Sequence, residues 1–521
     1  MTEQVQDYLH PLVDYIKSRL ESLLTLVEFE EGGKPIEPDS FRLNNLSSWS
    51  FEKYNSVFDS LGSFSSHCNL KCKFCYEDGN PIGYEKTLLT LEEADTRTRY
   101  YRKNINKGLP LFRQRIYKEP FTNRDLLPIL KNVRATCPEV EIHLTTNGSL
   151  LSEELLCELS ELLPINLCIS LNSSDPKLRE ELMLDKRSKK SIDMITKFQK
   201  YGLPYAGSIV AWPEINVGDI VRTIRFLDKN NARMIRISLP GFSKYYSLDP
   251  PFETKPTWQN ILDKILPLRE EISTPILILP SLYHSKAFLP EVAGIIRNSP
   301  AGRSGMRFGD IIITVNGQNT ASRSEAQELL FSGSRTGHVE VEFKRGEKTL
   351  RTALGEAEAS EQNYPYRPSG YPASKAHPMG IILVDDFNPM WLVNLLGKLA
   401  TLKAENILLM TSAIMEPLVA SLLDSISDLD QLLGGKNLFL WIPEHRFWGG
   451  NIILGDLYTC NDFIEGVKDF ARKNEIKPDL IVIPESFSPN GYTDMLGVSY
   501  SVIEHETGVP VLLAKCSTIT M

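Results

Sequence analysis

The chain has 521 residues, a formal net charge of −9, 42% hydrophobic residues and 24% charged residues. At roughly 150 residues per domain that length predicts about three domains, and the balance of apolar and charged residues excludes wholesale disorder. An acidic chain repels phosphate backbones, so no nucleic acid partner is expected, and no apolar run is long enough to span a bilayer. The first 29 residues mix apolar positions at helical spacing with acids and bases, unlike a secretory leader. Eight cysteines, scattered except for one cluster, fit a reducing compartment, so a cytoplasmic location is expected.

In chain order, residues 1–50 read as a helical extension. Residues 51–280 alternate strand-like and helix-like runs. SVFDSLGSF, FRQRIY, VEIHLTTNG, INLCISLN, YAGSIVAW and RMIRISLPG are the strand candidates. Amphipathic stretches such as DLLPILKNV, EELLCELSELL and DIVRTIRFLDK separate them. Such alternation predicts βαβ units and a parallel sheet. Six repeats predict a partial (β/α)6 TIM-like barrel with its site at the carboxyl ends of the strands.

Residues 281–356 change to short β runs and Gly-rich turns around one short helix. SPAGRSGMRFGDIIITVNG in this stretch resembles the bacterial PDZ pattern. A carboxylate-binding loop would then lie near Phe288 to Gly294, although AFLPEVAG lacks the usual Gly-Leu-Gly-Phe. Residues 357–378 are proline-rich with little aliphatic content and read as a linker. From 379 to 521 the α/β alternation resumes with GIILV, NILLM, LFLWI, NIILG, DLIVIP and VPVLLA, predicting a C-terminal α/β domain.

The chemistry concentrates in SSHCNLKCKFCYEDGN, where Cys68, Cys72 and Cys75 form CxxxCxxC. Three thiolates can hold three irons of a [4Fe–4S] cubane and leave the fourth open, whereas most structural clusters take four cysteines. An open iron binds the amino and carboxylate groups of S-adenosylmethionine (SAM). Electron transfer into the sulfonium then breaks its C5′–S bond and yields methionine and a 5′-deoxyadenosyl radical, with the protein positioning and shielding the cofactor. The competing reading is a zinc site of these cysteines and His67. Zinc prefers paired CxxC knuckles, and only one CxxC exists here.

The motif, with Phe74 as the aromatic residue before the third cysteine, resembles the radical SAM superfamily. There the loop follows the first strand of a partial barrel. The resemblance implies roles at several matching positions. Lys118-Glu119-Pro120 stands where the family carries Gly-Gly-Glu-Pro, which makes Glu119 the candidate for the SAM amino group. Both glycines are missing. Gly207, Ile209 and Glu214 fit the family's GxIxGxxE pattern, with Ala211 for the second glycine, and backbone around Ile209 would face the adenine. Ser170 and Asn172 stand where the family binds ribose; alternatively they cap the next helix. Arg179 would reach the SAM carboxylate, or is a solvated helix residue. Thr146-Asn147-Gly148 is a turn with a weaker tie to SAM. No residue is singled out as acting on the substrate. The resemblance further implies a one-electron reductant such as flavodoxin or ferredoxin.

The likeness extends past the barrel. PEIN, RISLPGFSKY, HRFWGGNIILGDLYTCNDFI and DLIVIPESF are similar to bacterial Fe–S proteins that combine a radical SAM core, a PDZ domain and a C-terminal domain of unknown function 512. In that group the PDZ unit precedes the core; here it lies between core and tail. Three functions compete. The first is an enzyme using the 5′-deoxyadenosyl radical on its substrate. The second is a maturation or scaffold factor acting on a peptide or protein recruited through the PDZ-like unit. The third is a non-catalytic Fe–S redox or iron sensor. In the tail, His445 to Asn451 reads as a ligand loop or a structural turn, and Asp385-Asp386 as a metal or ribose site or a helix cap. Cys460 and Cys516 read as isolated core residues.

Overall fold

The computed structural model describes residues 64–75, 88–104, 111–113, 118–138, 141–213, 215–246, 252–279, 289–297, 299–320, 322–334, 339–355, 378–383, 389–426, 428–484, 493–494 and 496–514. It also describes short strands at Glu30–Glu31, Lys34–Pro35 and Leu43–Asn45. The first of three units is a six-stranded, all-parallel sheet. Its strands are Leu111–Arg113, Glu141–Thr146, Ile165–Ser170, Tyr205–Val210, Met234–Ser238 and Ile276–Leu279, in sequence order. Burial alternates along Ile165–Ser170 and Tyr205–Val210, as strands covered on one face require. The Ile220–Lys229 helix buries Ile220, Thr223, Ile224 and Leu227, one stripe at helical spacing. Leu227 presses so close to the Tyr205–Val210 strand that a Cβ on Gly207 would lie 2.5 Å from its side chain. The first glycine of the GxIxGxxE stretch therefore lets a helix pack against the sheet.

Sequence and structure agree on six strands but differ in which six they are. SVFDSLGSF falls mostly outside the described residues, of which only Phe64 onward is seen, with one bridge from Ser65 to Leu88. The sixth strand described is Ile276–Leu279, which the hydrophobic pattern did not single out because it is only four residues long.

The second unit is a four-stranded antiparallel sheet with strand neighbours in the order Gln318–Asn319, Ile311–Val315, Val339–Arg345 and Lys348–Leu354. The Arg323–Ser334 helix lies against it, with Ala326 and Leu330 in the core. GIILV was expected to open the C-terminal domain; the structure gives it to this second unit instead. Ile381–Ile382 pair antiparallel with Gly294–Ile295, and Met379, Ile381 and Leu383 join Val292, Ala326, Leu330 and Phe343 in one core. Gly294, expected in a carboxylate-binding loop, is a strand residue. Of the expected linker 357–378, all but Pro378 lies outside the described residues, as does Phe288. On its other face Ile382 meets Met234, Ala293 and Ile296, joining this unit to the amino-terminal ends of the barrel strands.

The third unit is a five-stranded sheet. Asn437–Trp441, Asn406–Met410, Leu480–Pro484 and Val511–Ala514 are parallel, and Leu43–Asn45 closes the edge antiparallel to Val511–Ala514. Within the described part of 1–50 the chain is extended, not helical, and one strand belongs to the C-terminal sheet. NIILG, expected as a strand, is a turn leading into the short Gly455–Leu457 helix. Asn451 there is held by partners in the barrel, not by a sheet neighbour.

Candidate functional site

The cysteine loop lies beside the carboxyl ends of the parallel strands. Cys68 is exposed, Cys72 and Cys75 are half-buried, and none is in a disulfide. The Cys75 N–H donates to the Cys72 carbonyl at 3.1 Å, closing a turn, and the Lys73 N–H donates to the Leu182 carbonyl at 2.8 Å. Cys72, Phe74 and Leu70 pack against Leu182, Met183 and Trp212, so Phe74 anchors the loop to the barrel. At the other end Glu119 N–H donates to the His67 carbonyl at 3.1 Å, and Thr122 Oγ1 lies 2.7 Å from Ser65 Oγ.

The donor set fits a [4Fe–4S] group with an open iron: three thiols on one pinned loop, with no fourth cysteine in the SSHCNLKCKFCYEDGN stretch. His67, Cys68, Cys72 and Cys75 do not form a group that could hold a single metal ion, nor does any other trio of His, Cys, Asp or Glu among the described residues.

Glu119 is 2% exposed. One carboxylate oxygen accepts from Thr146 Oγ1 at 2.7 Å and Phe121 N at 3.2 Å, and the other from Asn147 N at 2.7 Å. These bonds tie the cysteine loop to the turn after the Glu141–Thr146 strand. They use three of the roughly four acceptor positions of the carboxylate. Burial pushes its pKa up to about 7, against the hydrogen bonds from Asn147, Thr146 and Phe121 and the charge of Arg179. The folded chain then holds a proton that the unfolded chain has released, so this group's contribution to stability falls as pH rises from about 4.5 to 7. Glu119→Gln should remove that dependence. Urea midpoints of the iron-free proteins at pH 5 and pH 8 check it: the wild-type midpoint should fall relative to the variant's at the higher pH.

Arg179 differs from both expectations. It is fully buried and ion-paired to Asp185, itself buried, at 2.9 Å. It also donates to the carbonyls of Ser170 (2.9 Å), Leu171 (2.6 Å) and Asn147 (2.5 Å). Four of the five guanidinium N–H groups are thus used inside the protein, which leaves neither a solvated side chain nor a free fork for a carboxylate. Asp185 is completed by Ser149, Ser191 and the Arg187 N–H. A lone Arg in a helix gives no sign of this network, because Asp185 and Asn147 reach it from other segments.

Asn172 sits at φ +62° and is 1% exposed. Its side chain accepts from Val210 N at 2.8 Å and donates to the Ser170 carbonyl and Met183 Sδ, so it stitches two strand ends together. It does not cap the next helix; Asp175 does, accepting from Lys177 N and Leu178 N. Ser170 is half-buried at the end of its strand. Ile209 is fully buried in the barrel core, so only its backbone can face a ligand. Glu214 lies outside the described residues. Sequence reasoning missed Asn216, buried, whose amide donates to the carbonyls of Asn172 and Val210 at 2.8 Å each and whose oxygen accepts from Trp212 N at 2.6 Å. Its signal was the PEIN stretch, quoted only for its likeness.

The C-terminal loop 445–451 docks on the segment that follows the Met234–Ser238 strand. Phe242 N donates to Asn451 Oδ1 at 2.7 Å, Asn451 N to the Phe242 carbonyl at 3.1 Å, and Lys244 N to the Trp448 carbonyl at 2.7 Å. Phe242 stacks edge-on with Phe252, and Phe252 with Trp212, so packing is continuous from this loop to Cys72 and Phe74. His445 is turned inward, stacked on Tyr458 with ring centroids 3.8 Å apart. Burial lowers its pKa to about 4, so the ring is neutral at pH 7. Asp385, Asp386 and Cys516 lie outside the described residues, while Cys460 is a buried core residue.

Comparison with known proteins places these features. Residues 63–227 match the radical SAM superfamily and residues 291–345 match a PDZ domain. Among curated proteins, the GTP 3′,8-cyclase of Clostridium perfringens is 34% identical over 113 residues, 21% of this chain and 33% of that protein. Molybdenum cofactor biosynthesis protein 1 of Drosophila melanogaster is 32% identical over 127 residues, 24% of this chain and 21% of that protein. The chain thus spans a third or less of the length of these relatives. Among solved structures, Streptococcus suis SuiB bound to S-adenosylmethionine has a TM-score of 0.35 at 16% identity, covering 43% of this chain and 53% of that one. No helix among the described residues is long and apolar enough to cross a membrane. The chain therefore carries a radical SAM superfamily domain with the cysteine loop inside it, followed by a separate PDZ domain and a further α/β region.

Proposed function

We propose that this protein is a radical SAM enzyme in which Cys68, Cys72 and Cys75 hold a [4Fe–4S] cluster. The observation that carries the reading is the pinned three-thiol loop at the carboxyl ends of a parallel sheet, within the stretch that matches the superfamily. Held there with SAM, such a cluster would supply the electron for cleavage of the C5′–S bond, the chemistry that yields methionine and a 5′-deoxyadenosyl radical able to take hydrogen from a substrate. The protein's own share is positioning. Phe74 and Cys72 fix the loop against Trp212, while Glu119 and Arg179 fix the strand ends from beneath. Ser170 and backbone around Ile209 are the remaining groups proposed to face the nucleoside; Glu119, Asn172 and Arg179 act one layer behind it.

We assign residues 64–279 to the radical SAM unit. The PDZ-like unit runs from 289 to 355 with 378–383 as its completing strand, and the C-terminal unit is 389–514 plus Leu43–Asn45. A peptide or protein is the proposed PDZ partner, by strand addition to a sheet edge. A small one-electron carrier such as flavodoxin or ferredoxin is the proposed reductant, in a cytoplasmic setting. The test is anaerobic: the iron-loaded protein with dithionite and SAM should release 5′-deoxyadenosine and methionine in equal amounts. An intact cluster with no SAM cleavage would favour the sensor reading instead.

A further inference from the structure

Asn147 occupies the turn after the Glu141–Thr146 strand and is 8% exposed. Each of its polar groups is held. Its N–H donates to Glu119 Oε2 at 2.7 Å, and its carbonyl accepts from Arg179 Nη2 at 2.5 Å. Its side-chain oxygen accepts from Ser149 N at 2.8 Å. Its side-chain nitrogen donates to Asn69 Oδ1 at 2.9 Å and lies 3.8 Å from Cys68 Sγ. The amide orientation is fixed by chemistry: a backbone N–H can only donate, so the oxygen must face Ser149 and the NH2 must face the cysteine loop. The buried Arg179–Asp185 pair and Glu119 leave the backbone of this turn no room to drift.

A donor held in this way beside a thiolate favours whichever state carries more negative charge on sulfur. Hydrogen bonds to ligand sulfurs are among the groups that set the reduction potential of iron–sulfur clusters. We propose that Asn147 is a positioning residue whose side-chain amide donates to the Cys68 thiolate and thereby raises the reduction potential of the cluster that this thiolate helps hold. The proposal rests on the cluster reading above and adds a residue outside the cysteine motif. Glu119 and Arg179, read from the sequence as SAM contacts, are the groups that aim it.

Two variants test it in the full-length protein. Asn147→Asp keeps the acceptor for Ser149 N and removes the donor; Asn147→Ala removes both. Iron content and visible spectrum establish loading first. An EPR-monitored redox titration then reads the potential. Loss of the donor should shift the reduction equilibrium toward the oxidised cluster by about threefold to tenfold, and tenfold corresponds to about 59 mV for one electron. The shift should be larger for Asn147→Asp, which adds negative charge.

Wild-type potentials in loaded variants would overturn the proposal and leave the cluster reading standing. A wild-type protein that takes up no iron would overturn the cluster reading and this proposal with it.

Discussion

Replacing Cys68, Cys72 and Cys75 together by Ala is expected to abolish iron uptake and, with it, all SAM cleavage. Anaerobic reconstitution of the wild type should give about four irons per chain, on the stoichiometry of a single cubane. The effect is all-or-none because the other cysteines among the described residues, Cys137, Cys157, Cys168 and Cys460, form no second CxxxCxxC stretch. Cys137 and Cys460 are buried in cores, and the Cys460 thiol is directed at the carbonyls of Val498 and Ser499. Fold should survive, because Cys72 is the only one of the three packed against an apolar cluster, and it sits at that cluster's margin. Iron analysis and circular dichroism on the triple variant check both halves.

The second large effect belongs to Gly450, which holds the C-terminal unit against the barrel. Its φ is +62°, and a Cβ would lie 2.0 Å from the Phe242 carbonyl oxygen. Gly450→Ala therefore meets two costs. The left-handed conformation alone costs about 1–2 kcal/mol for a residue with a Cβ. The backbone clash adds to this, because it cannot be relieved by rotating a side chain. The hydrogen bonds pairing Phe242 with Asn451 and Lys244 with Trp448 should then open. Amide exchange at Lys244 and Asn451 is expected to rise at least about tenfold, the factor that 1.4 kcal/mol corresponds to, while iron content stays that of the wild type. Radical chemistry needs a shield from solvent and side reactions. Uncoupled SAM cleavage should accordingly persist while turnover of the true substrate collapses. Cutting the chain before Pro378 is a poorer test. It would remove Ile381 from the core of the PDZ-like unit and leave the Leu43–Asn45 strand without its partner.

The cysteine motif, the parallel strands and the PDZ-like unit were legible because their signals are local: spacing within eight residues, alternation within a strand, a glycine-rich turn sequence. What was not legible depends on partners far apart in the chain. Arg179 looks like any helix cation until Asp185, Ser170 and Asn147 are brought around it. Asn172 and Glu119, expected from the resemblance to meet SAM, hydrogen-bond Val210 N–H and, for Glu119, Thr146 and Asn147, partners that their sequence neighbours do not announce. GIILV carries no mark to say that its neighbours are Gly294–Ile295 and not the next strand along the chain. Gly449-Gly450 could be read as a turn, but the carbonyl that forbids a side chain belongs to Phe242, more than 200 residues earlier.

The most direct test of the central claim is the EPR spectrum of the dithionite-reduced, anaerobically reconstituted protein before and after SAM is added. A three-cysteine cluster has an iron free to take the SAM amino and carboxylate groups, so the signal of the reduced cluster should change its g-values on addition of SAM, and should not appear at all in the triple cysteine variant. A cluster signal indifferent to SAM, or stoichiometric zinc and no iron in protein purified without oxygen, would contradict the account.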